Sequence, residues 1–156
     1  MQKLWQQNPL KDYQDLLKGK DDVTPPRFLY EIENFIFVPL VNERMNLIAE
    51  LEITLLRPEE PGFIVTQGGD IDNRLKTLLD ALRMPKNKDE LPKNSVPGED
   101  ERPFFCLLED DNLVTRIAVE TDRLLEPVVD TSEVELLIHV YTKVTMATMD
   151  NIGLGV

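Results

Sequence analysis

One cysteine and one histidine stand among 156 residues. Cys106 alone cannot close an internal disulfide, and with His139 as the sole imidazole there is no Cys- or His-rich metal site. Aromatic side chains are scarce too: one tryptophan, three tyrosines and six phenylalanines. That is a poor supply for a platform on which successive bases stack. Ser95 and Ser132 are the only serines, and neither has the glycines of a nucleophile elbow around it. The "GLGV" at the end lacks a strand-to-helix unit and is no dinucleotide fingerprint. No apolar run approaches the roughly 20 residues that cross a bilayer. The opening "MQKLWQQNPLKDYQ" is too polar for a secretory signal. A cytoplasmic protein with no membrane partner is expected.

Bases are outnumbered. Seventeen lysines and arginines against 29 acids give a net charge of −12, the wrong overall sign for a protein that coats nucleic acid. One window departs from this. Between Arg74 and Lys93 lie Arg74, Lys76, Arg83, Lys86, Lys88 and Lys93, against Asp80, Asp89 and Glu90. Such a patch can meet a phosphate backbone, and it can equally be a solvated helix face and loop.

The length suits one domain over residues 1–156. Residues 8–19 read as a short helix capped by Asn8, with Pro9 in its first turn and Gly19 at its end. A polar connector follows at 20–26. Residues 28–40 and 47–56 read as two strands joined by "VNERMN" in a hairpin. In the second, Ile48, Leu51, Ile53 and Leu55 alternate with Glu50, Glu52 and Thr54. A loop with a short extended piece at 63–65 comes next. After Gly69, Leu75, Leu78, Leu79 and Leu82 follow i, i+3, i+4, i+7 and predict a helix with one apolar stripe. Asp72, Lys76, Asp80 and Arg83 share the adjacent polar face. Residues 84–103, with Pro85, Pro92, Pro97 and Pro103, read as a surface insertion, since a long structureless loop in a compact domain is uncommon. Order resumes in "FFCLLEDDNLVTRIAVETDRLL", with a strand from about 114 to 121, and "EVELLIHVYTKV" is a further strand. His139 is expected to be a structural imidazole within it, and Cys106 a buried, inert thiol.

Two acidic pairs carry the chemistry: Asp70 and Asp72 at the helix start, and Asp110 with Asp111 ahead of a strand. Hard cations such as Mg²⁺ take oxygen ligands, and convergent carboxylates leave positions open for water and substrate phosphate. Such a metal activates water and stabilises charge on a phosphodiester. Lys76, one turn beyond Asp72, could reach a phosphate oxygen. Aspartate at a helix start also simply caps free N–H groups and faces the positive end of the dipole. Both readings stand on spacing alone.

The combination "DIDNRLKTLLDAL" and "LEDDNLV" resembles the RusA-type Holliday junction resolvases. Their hallmark is an Asp-x-Asp-Asn at a helix start, a lysine one turn on, an Asp-Ala-Leu, then an Asp-Asp before a strand. Here these are Asp70, Asp72, Asn73, Lys76, the trio Asp80, Ala81 and Leu82, and the pair Asp110 and Asp111. The resemblance covers roughly residues 69–119. It implies an α/β (α+β) fold in which a small mixed sheet of about four strands packs against helices. It also implies a homodimer and Mg²⁺-dependent (or Mn²⁺-dependent) cleavage of branched DNA in recombination and repair. Asp70, Asp72 and Asp111 would be metal ligands with Asp110 beside them, and Lys76 the catalytic lysine. Arg74, Arg83, Lys86 and Lys88 would meet DNA. The chain departs from the family in its 84–103 insertion, its acidity, and "VNERMN" where a helix usually stands. Those departures motivate an alternative, a RusA-fold protein acting as a regulatory or protein-interaction module. A plain acidic domain with capping aspartates is the third reading.

Overall fold

The computed structural model describes residues 29–58, 71–93, 95–98, 101–126, 134–149 and 151, with Gln7. The expected helix at 8–19, the connector at 20–26, the extended piece at 63–65 and Asp70 lie outside the described residues.

The fold is mixed α+β. Among the described residues six strands divide between two sheets: β1 (Tyr30–Ile32), β2 (Phe35–Val41) and β4 (Phe104–Leu108) form one, in the order β1-β2-β4. The other holds β3 (Leu47–Arg57), β5 (Val114–Arg123) and β6 (Glu135–Val144), in the order β5-β3-β6. One helix, α1 (Ile71–Leu82), lies among the described residues. The expected single sheet of about four strands is therefore two sheets of three. A hairpin between the two strands flanking "VNERMN" is not what forms. β2 pairs with β1 and β4, while β3 pairs with β5 and β6.

Local chemistry explains the break. Asn42 caps a 3-10 turn over Glu43–Met45, its Oδ1 accepting the Met45 N–H at 2.9 Å. Its Nδ2 donates back to the Pro39 carbonyl at 3.2 Å. Asn46 then takes a left-handed conformation (φ 51°), which asparagine tolerates better than most residues. The chain leaves in a new direction, as the buried faces demand. Val38 and Pro39 are both fully buried, so β2 is covered on both faces and takes β4 as a parallel neighbour. The single strand expected over 28–40 is itself folded back at Glu33 and Asn34, with Glu33 at φ 55°. No glycine advertises that turn.

The same device recurs after β4. A 3-10 turn over Asp111–Leu113, capped by Asp110, carries the chain from the first sheet into β5 of the second. Two strand–turn–strand units thus run side by side, β2 parallel to β4 and β3 parallel to β5. They are stitched where they change sheets. Glu109 N donates to the Val41 carbonyl at 2.9 Å, and its carboxylate accepts the Glu43 N–H at 2.8 Å.

The core forms between the second sheet and α1. Leu47, Ala49, Leu51, Ile53 and Leu55 point inward from β3 and are buried, with Ala49 and Leu51 at 0% exposure. Ile48, grouped by its apolarity with Leu51, Ile53 and Leu55, falls on the opposite face with Glu50 and Glu52, so the inward run is the odd-numbered one. Leu75, Leu78, Leu79 and Leu82 of α1 pack on this cluster together with Leu108 and Leu113. The leucine stripe read from sequence does the work assigned to it. A second cluster of Phe35, Phe37 and Cys106 takes in Met84 and Leu91. The described part of the 84–103 segment accordingly has internal order and is not a bare loop. Met84 N donates to the Leu108 carbonyl at 2.9 Å, and Lys88–Glu90 form a 3-10 turn. Cys106 is buried as expected, and burial pushes its thiol up to about 12.

Candidate functional site

The acidic pair sits at the crossover between the two sheets. Asp110 spends its two oxygens differently: Oδ1 accepts the Asn112 N–H at 3.0 Å, and Oδ2 meets Lys86 Nζ at 2.9 Å. Asp111 Oδ1 lies 3.6 Å from the same ammonium. Lys86 reaches them because Arg83 makes a parallel bridge with Leu108. The chain leaving α1 therefore runs alongside the end of β4, and three residues later Lys86 stands over Asp110. The Lys86 ammonium and then the Asn112 amide hold the Asp110 carboxyl down to about 2.

Asp110 is thus ionised throughout the ordinary pH range, and the sign of its linkage is fixed. Its folded value lies below the ordinary 3.8. The stability it contributes is fully present above that value and is lost as pH falls toward about 2. In Lys86→Met the Asp110 carboxyl should titrate closer to 3.8, while the Asn112 amide keeps it somewhat depressed. Carboxyl carbon shifts in an NMR titration would register the change. A value unmoved from about 2 would show that Lys86 is not its cause.

The helix carrying the other site residues adjoins this turn, for α1 packs against Asp111–Leu113. Asp72 lies in its first turn, and Asp72, Arg74 and Lys76 are all exposed. Asp70 is outside the described residues. The carboxylates fit a hard divalent cation in kind, being oxygen donors. Their arrangement is less complete. Among the described residues no three of aspartate, glutamate, histidine and cysteine converge closely enough to hold a metal ion. Lys86 supplies the charge opposite Asp110 and Asp111.

Of the four basic residues assigned to DNA, Arg74, Lys86 and Lys88 are exposed. Arg83 is a clamp: its guanidinium reaches Asp80 at 3.1 Å, Glu90 at 2.8 Å and the Met84 carbonyl at 3.0 Å, with its side chain 11% exposed. Lys86 holds the acidic pair. The Asp80–Arg83 pair is an i,i+3 neighbour on the polar face already read, whereas Glu90 on Arg83 and the acidic pair on Lys86 were not legible, because they depend on the path of the chain after α1.

Sequence reasoning also missed a polar cluster on the outer face of the second sheet. Glu52 accepts from Arg116 at 2.9 Å and from the Tyr141 hydroxyl at 3.1 Å, and those bonds, Arg116 first, hold its carboxyl below the usual range. His139 stands directly across from Glu52 in register, exposed, with its ring edge-on to Tyr141 at 6.5 Å. It is a surface imidazole and not the interior structural one expected. The clue was its parity. His139 shares the outward face with Tyr141 and Lys143, opposite the inward Ile138 and Val140.

Compared with known proteins, the chain matches no protein-family model, no curated protein and no solved structure.

Proposed function

We propose that this chain is a divalent-cation-dependent endonuclease that hydrolyses phosphodiesters of branched DNA in recombination or repair, working as a homodimer. The observation that supports this reading is the packing of α1, with Asp72 and Lys76, against the turn that begins with Asp110 and Asp111. The "DIDN…K" and "EDDN" motifs, far apart in sequence, belong to neighbouring elements. Asp72, Asp110 and Asp111, with Asp70, would hold Mg²⁺ or Mn²⁺. A cation held there would supply Lewis acidity toward a phosphoryl oxygen and would lower the pKa of its water. Lys76 would stabilise charge developing on the phosphate, and Arg74 and Lys88 would position the backbone.

A second reading is favoured by a specific contact. Lys86 already pairs with Asp110 and Asp111, as it would in a protein that kept the fold and used it as a regulatory or protein-interaction module. One experiment separates the two. The chain is incubated with a four-way DNA junction with and without Mg²⁺ or Mn²⁺, and melted under the same conditions. A nuclease should cleave only with metal, melt higher in its presence, and lose cleavage in Asp72→Asn with the metal-free melting temperature unchanged. Cleavage undiminished by that substitution removes Asp72 from the chemistry. No cleavage and no metal-dependent shift would favour the module.

A further inference from the structure

We propose that β6 is the docking edge for a second copy of this chain, pairing antiparallel with the partner's β6 about a twofold axis at His139. This rests on the functional reading only for the expectation of a twofold dimer. The surface and the register come from the strand itself.

Among the described residues β6 pairs on one side alone, with β3. An open strand of ten residues is a template for another strand unless it is blunted, and natural edges are blunted by proline, bulges or charge. β6 contains no proline, its pairing with β3 runs unbroken from Glu135 to Val144, and its charges stand near its ends. Large apolar side chains remain open to solvent along it: Leu136 at 43%, Leu137 at 58% and Tyr141 at 45%. β5, the edge on the other side of the same sheet, exposes Ile117 alone of its large apolar residues, at 38%.

What selects a second copy is the order of residues along β6. In antiparallel pairing about a twofold axis normal to the sheet, opposed residues must share a face, so the axis passes through a residue and not between two. Centred on His139, the register sets Glu135 opposite the partner's Lys143, and Lys143 opposite the partner's Glu135. Leu137 meets the partner's Tyr141, and on the inner face Ile138 meets the partner's Val140. Opposite charges face each other at both ends, and apolar or aromatic side chains meet between them. Moving the axis to Val140 sets Leu137 against Lys143. Moving it to Ile138 leaves Lys143 beyond the strand's partner. The register at His139 alone uses both charges, and it joins the two β5-β3-β6 sheets into one of six strands.

Sedimentation of the full chain tests this through a charge swap. Lys143→Glu faces Glu135 with a like charge twice over and should weaken association by about tenfold. The double variant Glu135→Lys with Lys143→Glu should restore it. Lys143 also pairs with Glu50 of its own chain. That contact is lost equally in the single and double variants, so the difference between them reports the intermolecular pair. As a second measurement, His139→Cys should form a disulfide-linked dimer under mild oxidation, since opposed positions bring like residues together. Glu135→Cys should not, and the native Cys106 is buried. A chain monomeric at high micromolar concentration, or a dimer indifferent to the charge swap, overturns the proposal. So does one cross-linked through position 135 in preference to 139. None of these readouts involves cleavage: a monomer removes the dimer from the functional reading as well, whereas a dimer indifferent to the swap overturns this interface alone.

Discussion

Leu51→Ala should destabilise the protein by about 2–5 kcal/mol, the range for truncating a fully buried leucine. Leu51 is at 0% exposure at the middle of β3, the central strand of its sheet, with β5 on one side and β6 on the other. Beneath it the inward face meets the leucines of α1. A void there has paired strands beside it and a helix across it, so little can collapse inward. Native domains are stable by only about 5–15 kcal/mol, so the loss is a large share of the whole. For a chain of this size it corresponds to a fall in Tm of roughly 5–15 °C. Ile48→Ala on the same strand is the internal control. Ile48 lies on the outward face, half-buried, and the same kind of truncation should cost only about 1 kcal/mol. Urea melts of both variants check the pair. Equal losses would mean that the faces of β3 are assigned wrongly.

That contrast also marks how far the sequence could be read. α1 was legible because Leu75, Leu78, Leu79 and Leu82 repeat at helical spacing and all four meet the core. β3, β5 and β6 were legible as strands from composition and alternation. The alternation in β3 is imperfect at one residue, because Ile48 is apolar and stands where the outward glutamates do. The division into two sheets was not legible. It follows from which strands find each other: β2 with β4, and β3 with β5, are partners whose sequence separation exceeds any local pattern. The turn at Glu33 and Asn34 was missed for the opposite reason, being purely local but lacking the glycine that usually announces a two-residue turn. Within the candidate site, residue types were legible and employment was not. Lys86 and Arg83 were read as bases that would meet DNA. Glu90 of the 88–90 turn holds Arg83, and Asp110, just after β4, holds Lys86.

The two lysines of the candidate site should therefore respond to the same substitution in opposite ways. Lys76→Met should reduce junction cleavage by roughly 10²–10³-fold, the usual effect of removing one group that stabilises developing charge. Lys76 is exposed on α1, outside the leucine stripe, so stability should change by no more than about 0.5 kcal/mol. Lys86→Met removes a positive charge just as surely, but from a different role. Its ammonium lies 2.9 Å from Asp110 and 3.6 Å from Asp111 and offsets their charge. Without it the two carboxylates repel each other, and a divalent cation that relieves the repulsion binds more tightly. The melting shift produced by a fixed Mn²⁺ concentration should then be larger in Lys86→Met than in the parent chain, and unchanged in Lys76→Met. Melting curves need no substrate, so this comparison is read before any cleavage assay. Identical Mn²⁺ responses in the two variants would mean that the acidic pair takes no part in binding the cation. The metal would then have to be sought around Asp72 alone.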